Sequence, residues 1–138
     1  MSSIKVKKGG FLTTVQDLGR IGYQKFGMPV AGAMDNFSYR VANFLVGNKE
    51  NEAVLEATLL GPELEFDCDI SFAVTGANMK PALNGKEISM WESYKATKGD
   101  TLSLGVVTSG LRAYIAFSGS IEVPLLNNSK STYLKTGI

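Results

Sequence analysis

Residues able to do polar chemistry gather in one stretch of the chain. Gln16, Asp17, Arg20, Tyr23, Gln24 and Lys25 stand among Gly19, Gly22, Gly27, Pro29 and Gly32, and Asp35 follows Gly32-Ala33-Met34. Carboxylates, a guanidinium and amide donors held together in this way suit a small anionic ligand, a carboxylate or a phosphate. Arg40 and Asn43 lie three apart, so on a helix they share a face and extend the set. The same residues also fit a second reading, in which Asp17–Arg20 and Asp35–Arg40 are ion pairs that hold a long loop. Eleven of the fourteen basic residues are Lys. In such a chain the three guanidiniums, Arg20, Arg40 and Arg112, mark positions where a planar fork matters, in a buried pair or against a ligand.

Other chemistries are excluded by composition. The 138 residues contain no His, which removes the commonest general base and metal ligand. Ser-His-Asp and Cys-His nucleophile systems are therefore excluded within the chain. Cys68 is the single cysteine, so no internal disulfide and no cysteine zinc site can form, and no metal site is expected. Asp67 and Asp69 flank it, and a negative surrounding disfavours a reactive thiolate, which predicts a structural role. Fourteen Lys plus Arg face thirteen Asp plus Glu, so no basic field exists for nucleic acid. Neither a Gly-x-x-x-x-Gly-Lys-Ser/Thr phosphate loop nor a Gly-x-Gly-x-x-Gly dinucleotide loop is present. Met1 to Lys8 lacks the apolar core of a secretory leader, and no apolar run approaches the ~20 residues of a membrane span. One unpaired thiol fits a reducing compartment, so the expectation is a cytoplasmic protein without a membrane partner.

The length fits one domain, and its elements are mostly β. Strands are predicted around Ile4–Val6 and over Phe11 to Val15, then at Ala53 to Thr58, Leu64 to Phe66 and Ile70 to Thr75. Asn84-Gly85 predicts a type I′ hairpin between Ala82-Leu83 and Glu87 to Met90, because both turn positions tolerate positive φ. Thr101 to Leu104 and Arg112 to Phe117 complete the set, with a turn at Lys98-Gly99-Asp100. Trp91 and Tyr94 are expected in the core or barrel wall. One helix is predicted over about 36–46, with Asp35 as N-cap and Gly47-Asn48 as its stop. Phe37, Val41, Phe44 and Leu45 supply its apolar face, and Arg40 and Asn43 lie roughly opposite. The acidic run Glu50, Glu52, Glu56, Glu63, Glu65, Asp67 and Asp69 reads as a solvated face. Residues 127–138 are polar and read as an end without a closing element, as in a chain cut in mid-course.

Thr14-Val15-Gln16-Asp17-Leu18-Gly19-Arg20 is followed in order by Gly32-Ala33-Met34-Asp35, Arg40-Val41-Ala42-Asn43 and Val46-Gly47-Asn48. Leu55-Glu56, Gly61-Pro62 and Gly76-Ala77 come next. This series closely resembles the biotin-dependent carboxyltransferase family. That family includes allophanate hydrolase subunit 2, carboxyltransferase subdomains A and B of urea carboxylase, and the C subunit of bacterial ATP-dependent 5-oxoprolinase. The resemblance implies a cyclophilin-like β-barrel with one main helix. It also implies that residues 1–138 are the N-terminal barrel of a protein with a second, similar barrel. Where the family reads Gly-Ser-Arg-Ser-Thr-Tyr, this chain has Asn128-Ser129-Lys130-Ser131-Thr132-Tyr133, with a lysine in place of the bidentate arginine.

The resemblance further implies an enzyme component that acts with a B-like subunit (allophanate hydrolase subunit 1 type) and an A-like subunit. Together they would hydrolyse 5-oxoproline to glutamate with ATP. The alternative is the carboxyltransferase step of a biotin-dependent urea carboxylase, with carboxybiotin as donor. A second alternative is a non-enzymatic regulator that binds a kinase-inhibitor-like B subunit. Both enzymatic readings need charge stabilised on an amide-type carbonyl. Arg20, Asp17 and Asp35 are accordingly the expected catalytic residues, and Gln16, Arg40 and Asn43 the expected substrate-binding ones.

Overall fold

The structure is a computed structural model that describes residues 3–16, 35–119, 121–122 and 132–136. Twelve strands and one helix follow one another in the described residues. They are β1 (Ser3–Lys8), β2 (Leu12–Gln16), α1 (Asn36–Leu45), β3 (Val54–Thr58), β4 (Glu63–Phe66), β5 (Ile70–Asn78) and β6 (Ala82–Leu83). Then come β7 (Lys86–Glu87), β8 (Ser93–Ala96), β9 (Thr101–Ser103), β10 (Ser109–Phe117), β11 (Ile121–Glu122) and β12 (Thr132–Thr136). The fold is thus mostly β with one main helix. Among the described residues the strands form two antiparallel sheets, ordered β11-β12-β1-β4-β9-β6-β7 and β2-β3-β10-β5-β8.

Alternation along the strands explains how two sheets enclose one core. Leu55, Ala113, Ile115, Phe117, Phe72 and Val74 of the five-stranded sheet pack against Ile4, Leu64, Phe66, Leu102 and Leu134 of the other. Phe66 lies between Phe72 and Phe117, with ring centroids 5.4 and 6.0 Å away. Tyr94 stacks on Phe72 at 6.0 Å and so belongs to this wall, as expected. Residues of β3 and β10 on the opposite face, Val54, Tyr114 and Ala116, pack against Tyr39 and Ala42 of α1. β3 and most of β10 are therefore covered on both sides, and every residue of Val54–Thr58 is buried.

The helix ends follow the sequence. Asp35 caps α1 by accepting from the Ser38 N–H at 3.0 Å and the Ser38 hydroxyl at 2.6 Å. At the other end Gly47 takes φ +80°, its N–H reaches Phe44 O at 3.1 Å, and the Asn48 N–H reaches Asn43 O at 2.9 Å. This is a Schellman motif. The buried face, however, is not the predicted one. α1 buries Ser38, Tyr39, Ala42 and Asn43, whereas Phe37 and Phe44 are 71% and 79% exposed. Small Ser38 and Ala42 let the helix lie close on the sheet. The polar atoms of this face find partners: Thr75 Oγ1 donates to Ser38 O at 2.7 Å, and Tyr39 Oη donates to Glu52 O at 2.7 Å.

Three further expectations change. Residues 132–136 form a strand, because β12 pairs with β1 and brings Leu134 into the core opposite Ile4. One inward apolar residue in a polar segment was too weak a period to read as a strand. The acidic run is not solvated throughout: Glu56 is buried within β3, whereas Glu63 and Glu65 stay part-exposed, 3.4 and 4.0 Å from Lys7 Nζ. Trp91 is not in the core; it is 39% exposed and takes φ +65°. The Asn84-Gly85 hairpin forms as predicted, with φ +53° and +80°. No helix of the described residues is long and apolar enough to cross a membrane.

Candidate functional site

A polar strip crosses the α1 face of the five-stranded sheet. Register places Thr14 of β2 opposite Glu56 of β3, Glu56 opposite Tyr114 of β10, and Tyr114 opposite Thr75 of β5. Gln16 stands two residues along β2 from Thr14, and its amide donates to Thr14 Oγ1 at 2.9 Å. Arg112 stands two residues along β10 from Tyr114. It is diagonal to Glu56, and its Nε is 3.9 Å from Glu56 Oε1. The Tyr114 hydroxyl donates to Glu56 Oε2 at 2.6 Å and accepts the Asp35 N–H at 2.9 Å. One chain of contacts thus runs from Arg112 through Glu56 and Tyr114 to the first residue before the helix.

Burial makes this chain costly to break. Glu56 is 6% exposed and Tyr114 fully buried. A carboxylate at that depth needs its hydrogen bonds. Burial is the main cause that pushes the Tyr114 phenol above its ordinary value, and the bond to Glu56 adds to it. The Ser38 hydroxyl, then the Ser38 N–H, holds the Asp35 carboxyl below its ordinary range. Asp35 is therefore an anion at neutral pH.

A groove of about 590 Å³ opens beside the strip, lined among others by Asp35, Ser38, Gly76, Trp91, Gly110 and Arg112. Its shape comes from the backbone. The β10–β5 register shifts between Ser109 and Ala113, and Ser109 to Arg112 line the groove at this irregularity. Gly110 takes φ +82° and Gly76 φ +87°. A Cβ on Gly76 would stand 2.6 Å from Arg112 O and 3.2 Å from Ala113 Cα, so only glycine lets the two strands meet. Phe37 and Trp91 form an aromatic rim with centroids 6.1 Å apart.

The expected site residues separate. Asp35 lines the groove, and its carboxylate accepts from Ser38 and does not pair with Arg40. Gln16 lies on the polar strip. Arg40 faces a neighbouring hollow with Phe37, Val41, Phe44, Asn48 and Glu50. Asn43 does not share that face: it is fully buried, donates to Glu52 O at 2.8 Å and accepts from the Asn48 amide at 3.1 Å. Asn48 continues this network to Phe117 O at 2.8 Å and the Gly119 N–H at 3.0 Å, tying α1 to the end of β10. Asn43 is thus a positioning residue for the helix. Asp17 and Arg20, with Tyr23, Gln24 and Lys25, lie outside the described residues. Glu56 and Tyr114 were not among the expected site residues, and Arg112 was marked only as a scarce guanidinium. A charged residue in the otherwise apolar run Val54–Thr58 and the scarcity of arginine were the available signals.

Comparison with known proteins places this architecture. The chain is 40% identical over 133 residues to urea amidolyase of Saccharomyces cerevisiae, 96% of this chain and 7% of that protein. It is 39% identical over 137 residues to the 5-oxoprolinase C subunit of Escherichia coli, 98% of this chain and 44% of that one. The chain therefore spans less than half the length of these relatives. The crystal structure of the Kluyveromyces lactis urea amidolyase superposes with a TM-score of 0.86 at 35% identity, covering 99% of this chain and 9% of that one. The family model described as carboxyltransferase domain, subdomain A and B, matches residues 26–138, and the chain belongs to that family.

Proposed function

We propose that the chain is the C-type component of a cytoplasmic, ATP-dependent 5-oxoprolinase that works with a B-like and an A-like subunit. The observation that carries this reading is its similarity to a separate bacterial subunit over nearly its whole length, 39% over 98% of the chain. A second such relative, the 5-oxoprolinase C subunit of Haemophilus influenzae, is 37% identical over 91% of it. The urea carboxylase reading stands beside it, because the yeast urea amidolyase is equally similar. On either reading the chain is one part of a larger enzyme, and residues 1–138 are read as its first barrel.

The groove supports amide chemistry. Asp35 is anionic, and each of its oxygens keeps a lone pair beyond the one given to Ser38, so it can accept a lactam N–H. Tyr114 and Glu56 hold the backbone of that residue in place. Arg20 and Asp17 remain proposed catalytic partners of Asp35, with Gln16 at the substrate and Arg40 in the adjoining hollow. The N-terminus of α1, which could otherwise receive a phosphate, is already occupied by the Asp35 carboxylate. ATP is therefore assigned to the assembled enzyme, and carboxybiotin, on the second reading, would arrive on another domain.

The test is 5-oxoproline-dependent ATP hydrolysis by the natural full-length product mixed with its A-like and B-like partners, each omitted in turn. Activity that requires this protein supports the reading. Folded, assembled and inactive proteins refute it in favour of urea-type carboxylation or regulation.

A further inference from the structure

We propose that Arg112 anchors the carboxylate of the substrate in the groove, an assignment that rests on the oxoprolinase reading and names its specificity determinant. Among the described residues, Asp35 and Arg112 are the two charged groups lining this groove. Their roles differ by chemistry. Asp35 accepts; Arg112 donates through a planar fork of five N–H groups that matches a carboxylate in a bidentate manner.

Three observations aim the guanidinium at a ligand. Strand alternation puts Arg112 on the face of Tyr114, beside the β10–β5 register shift, and there it lines the groove. Glu56 Oε1 approaches the guanidinium at Nε, at 3.9 Å, which is beyond hydrogen-bond length. Glu56 thus holds the positive charge in position, while its Oε2 accepts from Tyr114 at 2.6 Å. The Arg112 side chain is 28% exposed, enough for a small molecule to reach it. The Phe37–Trp91 rim lines the same groove, with Trp91 kept in a left-handed backbone conformation unusual for a bulky residue. Such strain collects at functional sites. A five-membered lactam lies flat against that rim, gives its N–H to Asp35 and its carboxylate to Arg112. Neutral urea offers the guanidinium a carbonyl oxygen but no carboxylate for bidentate pairing. The anchor therefore selects a small cyclic amide that bears a carboxylate.

The test uses the assembled enzyme with full-length subunits. Steady-state ATP hydrolysis gives KM and kcat for 5-oxoproline, and inhibition gives the affinity of 5-oxoprolinamide, the same ring with a neutral carboxamide. Arg112→Gln is expected to raise KM for 5-oxoproline at least about tenfold, the scale of a lost hydrogen bond to a charged group. It should leave kcat within about threefold and the affinity for the amide within about twofold. Arg112→Lys should fall between. Should Arg112→Gln fail to fold because Glu56 loses its neighbouring cation, the paired variant Glu56→Gln with Arg112→Gln removes both charges and is read by the same criteria. An unchanged KM, or equal losses for acid and amide, overturns the anchor while leaving the oxoprolinase reading intact. An inert wild-type assembly overturns both.

Discussion

Tyr114→Phe is the sharpest test of the buried strip, because it removes one oxygen and little volume. That oxygen donates to Glu56 at 2.6 Å and accepts the Asp35 N–H at 2.9 Å. A hydrogen bond to a charged group contributes about 1.5–3 kcal/mol, and weakening the solvation of a carboxylate at 6% exposure adds to the cost. The Asp35 N–H loses its acceptor as well, a part-buried bond that adds about 1 kcal/mol. The expected destabilisation is about 2–4 kcal/mol. With an unfolding entropy of about 2.1 cal/mol/K per residue over this length, that is a fall in Tm of roughly 7–14 °C. Thermal and urea unfolding at pH 7 measure it. A double-mutant cycle with Glu56→Gln then isolates the pair, with a coupling of at least about 1 kcal/mol expected. The raised Tyr114 pKa adds a pH signature with a definite sign. Its stabilisation is fully present below pH 10, the ordinary value, and is lost as pH rises from there toward the higher folded value. The wild type should therefore lose more stability than Tyr114→Phe above pH 10. A loss under about 0.5 kcal/mol at pH 7, or additive single mutants, would refute the strip as a coupled unit.

Other substitutions test separate parts of the same frame. Gly76→Ala should cost more than about 2 kcal/mol by chemical unfolding, since the new Cβ meets Arg112 O at 2.6 Å and φ is +87°; a neutral result would mean that β5 and β10 separate without cost. Asn48→Ala removes three side-chain hydrogen bonds, to Asn43, Phe117 and Gly119, and should cost about 2–4 kcal/mol in the same assay. Phe44→Ser, at a position 79% exposed, should change stability by less than about 0.5 kcal/mol; a loss above about 2 kcal/mol would show that the predicted helix face is the buried one after all. Asp35→Ala should cost about 1 kcal/mol at pH 7 as a lost N-cap. Because the folded Asp35 pKa is depressed, that difference from wild type should persist above about pH 4 and close as pH falls through the folded value.

What the sequence revealed and what it hid follow from one physical distinction. Turns and caps are local, so Asp35, Gly47 and Asn84-Gly85 could be read directly: a few atoms within four residues decide each. The strands from Val54 to Phe117 were legible because β-branched and aromatic runs are bounded by such turns. The face of α1 was not, because both sides of that helix carry apolar residues. The choice between Phe37–Phe44 and Tyr39–Ala42 is made by what the sheet offers. The sheet offers Tyr114 and Ala116, with Glu52 and Thr75 to satisfy the polar atoms of the buried face. The candidate site divides along the same line. Asp35 was visible through its local role as a cap. Glu56 and Tyr114 are 58 residues apart in sequence, and only antiparallel register places Glu56 opposite Tyr114 and diagonal to Arg112. The groove beside them is bounded by a register shift and by a glycine at position 76 whose necessity appears only when Arg112 O is seen 2.6 Å from its missing Cβ. A charged residue inside a strand buried on both faces is the sequence trace of such a site: without partners brought from elsewhere in the chain, its desolvation would outweigh anything the strand gains by burying it.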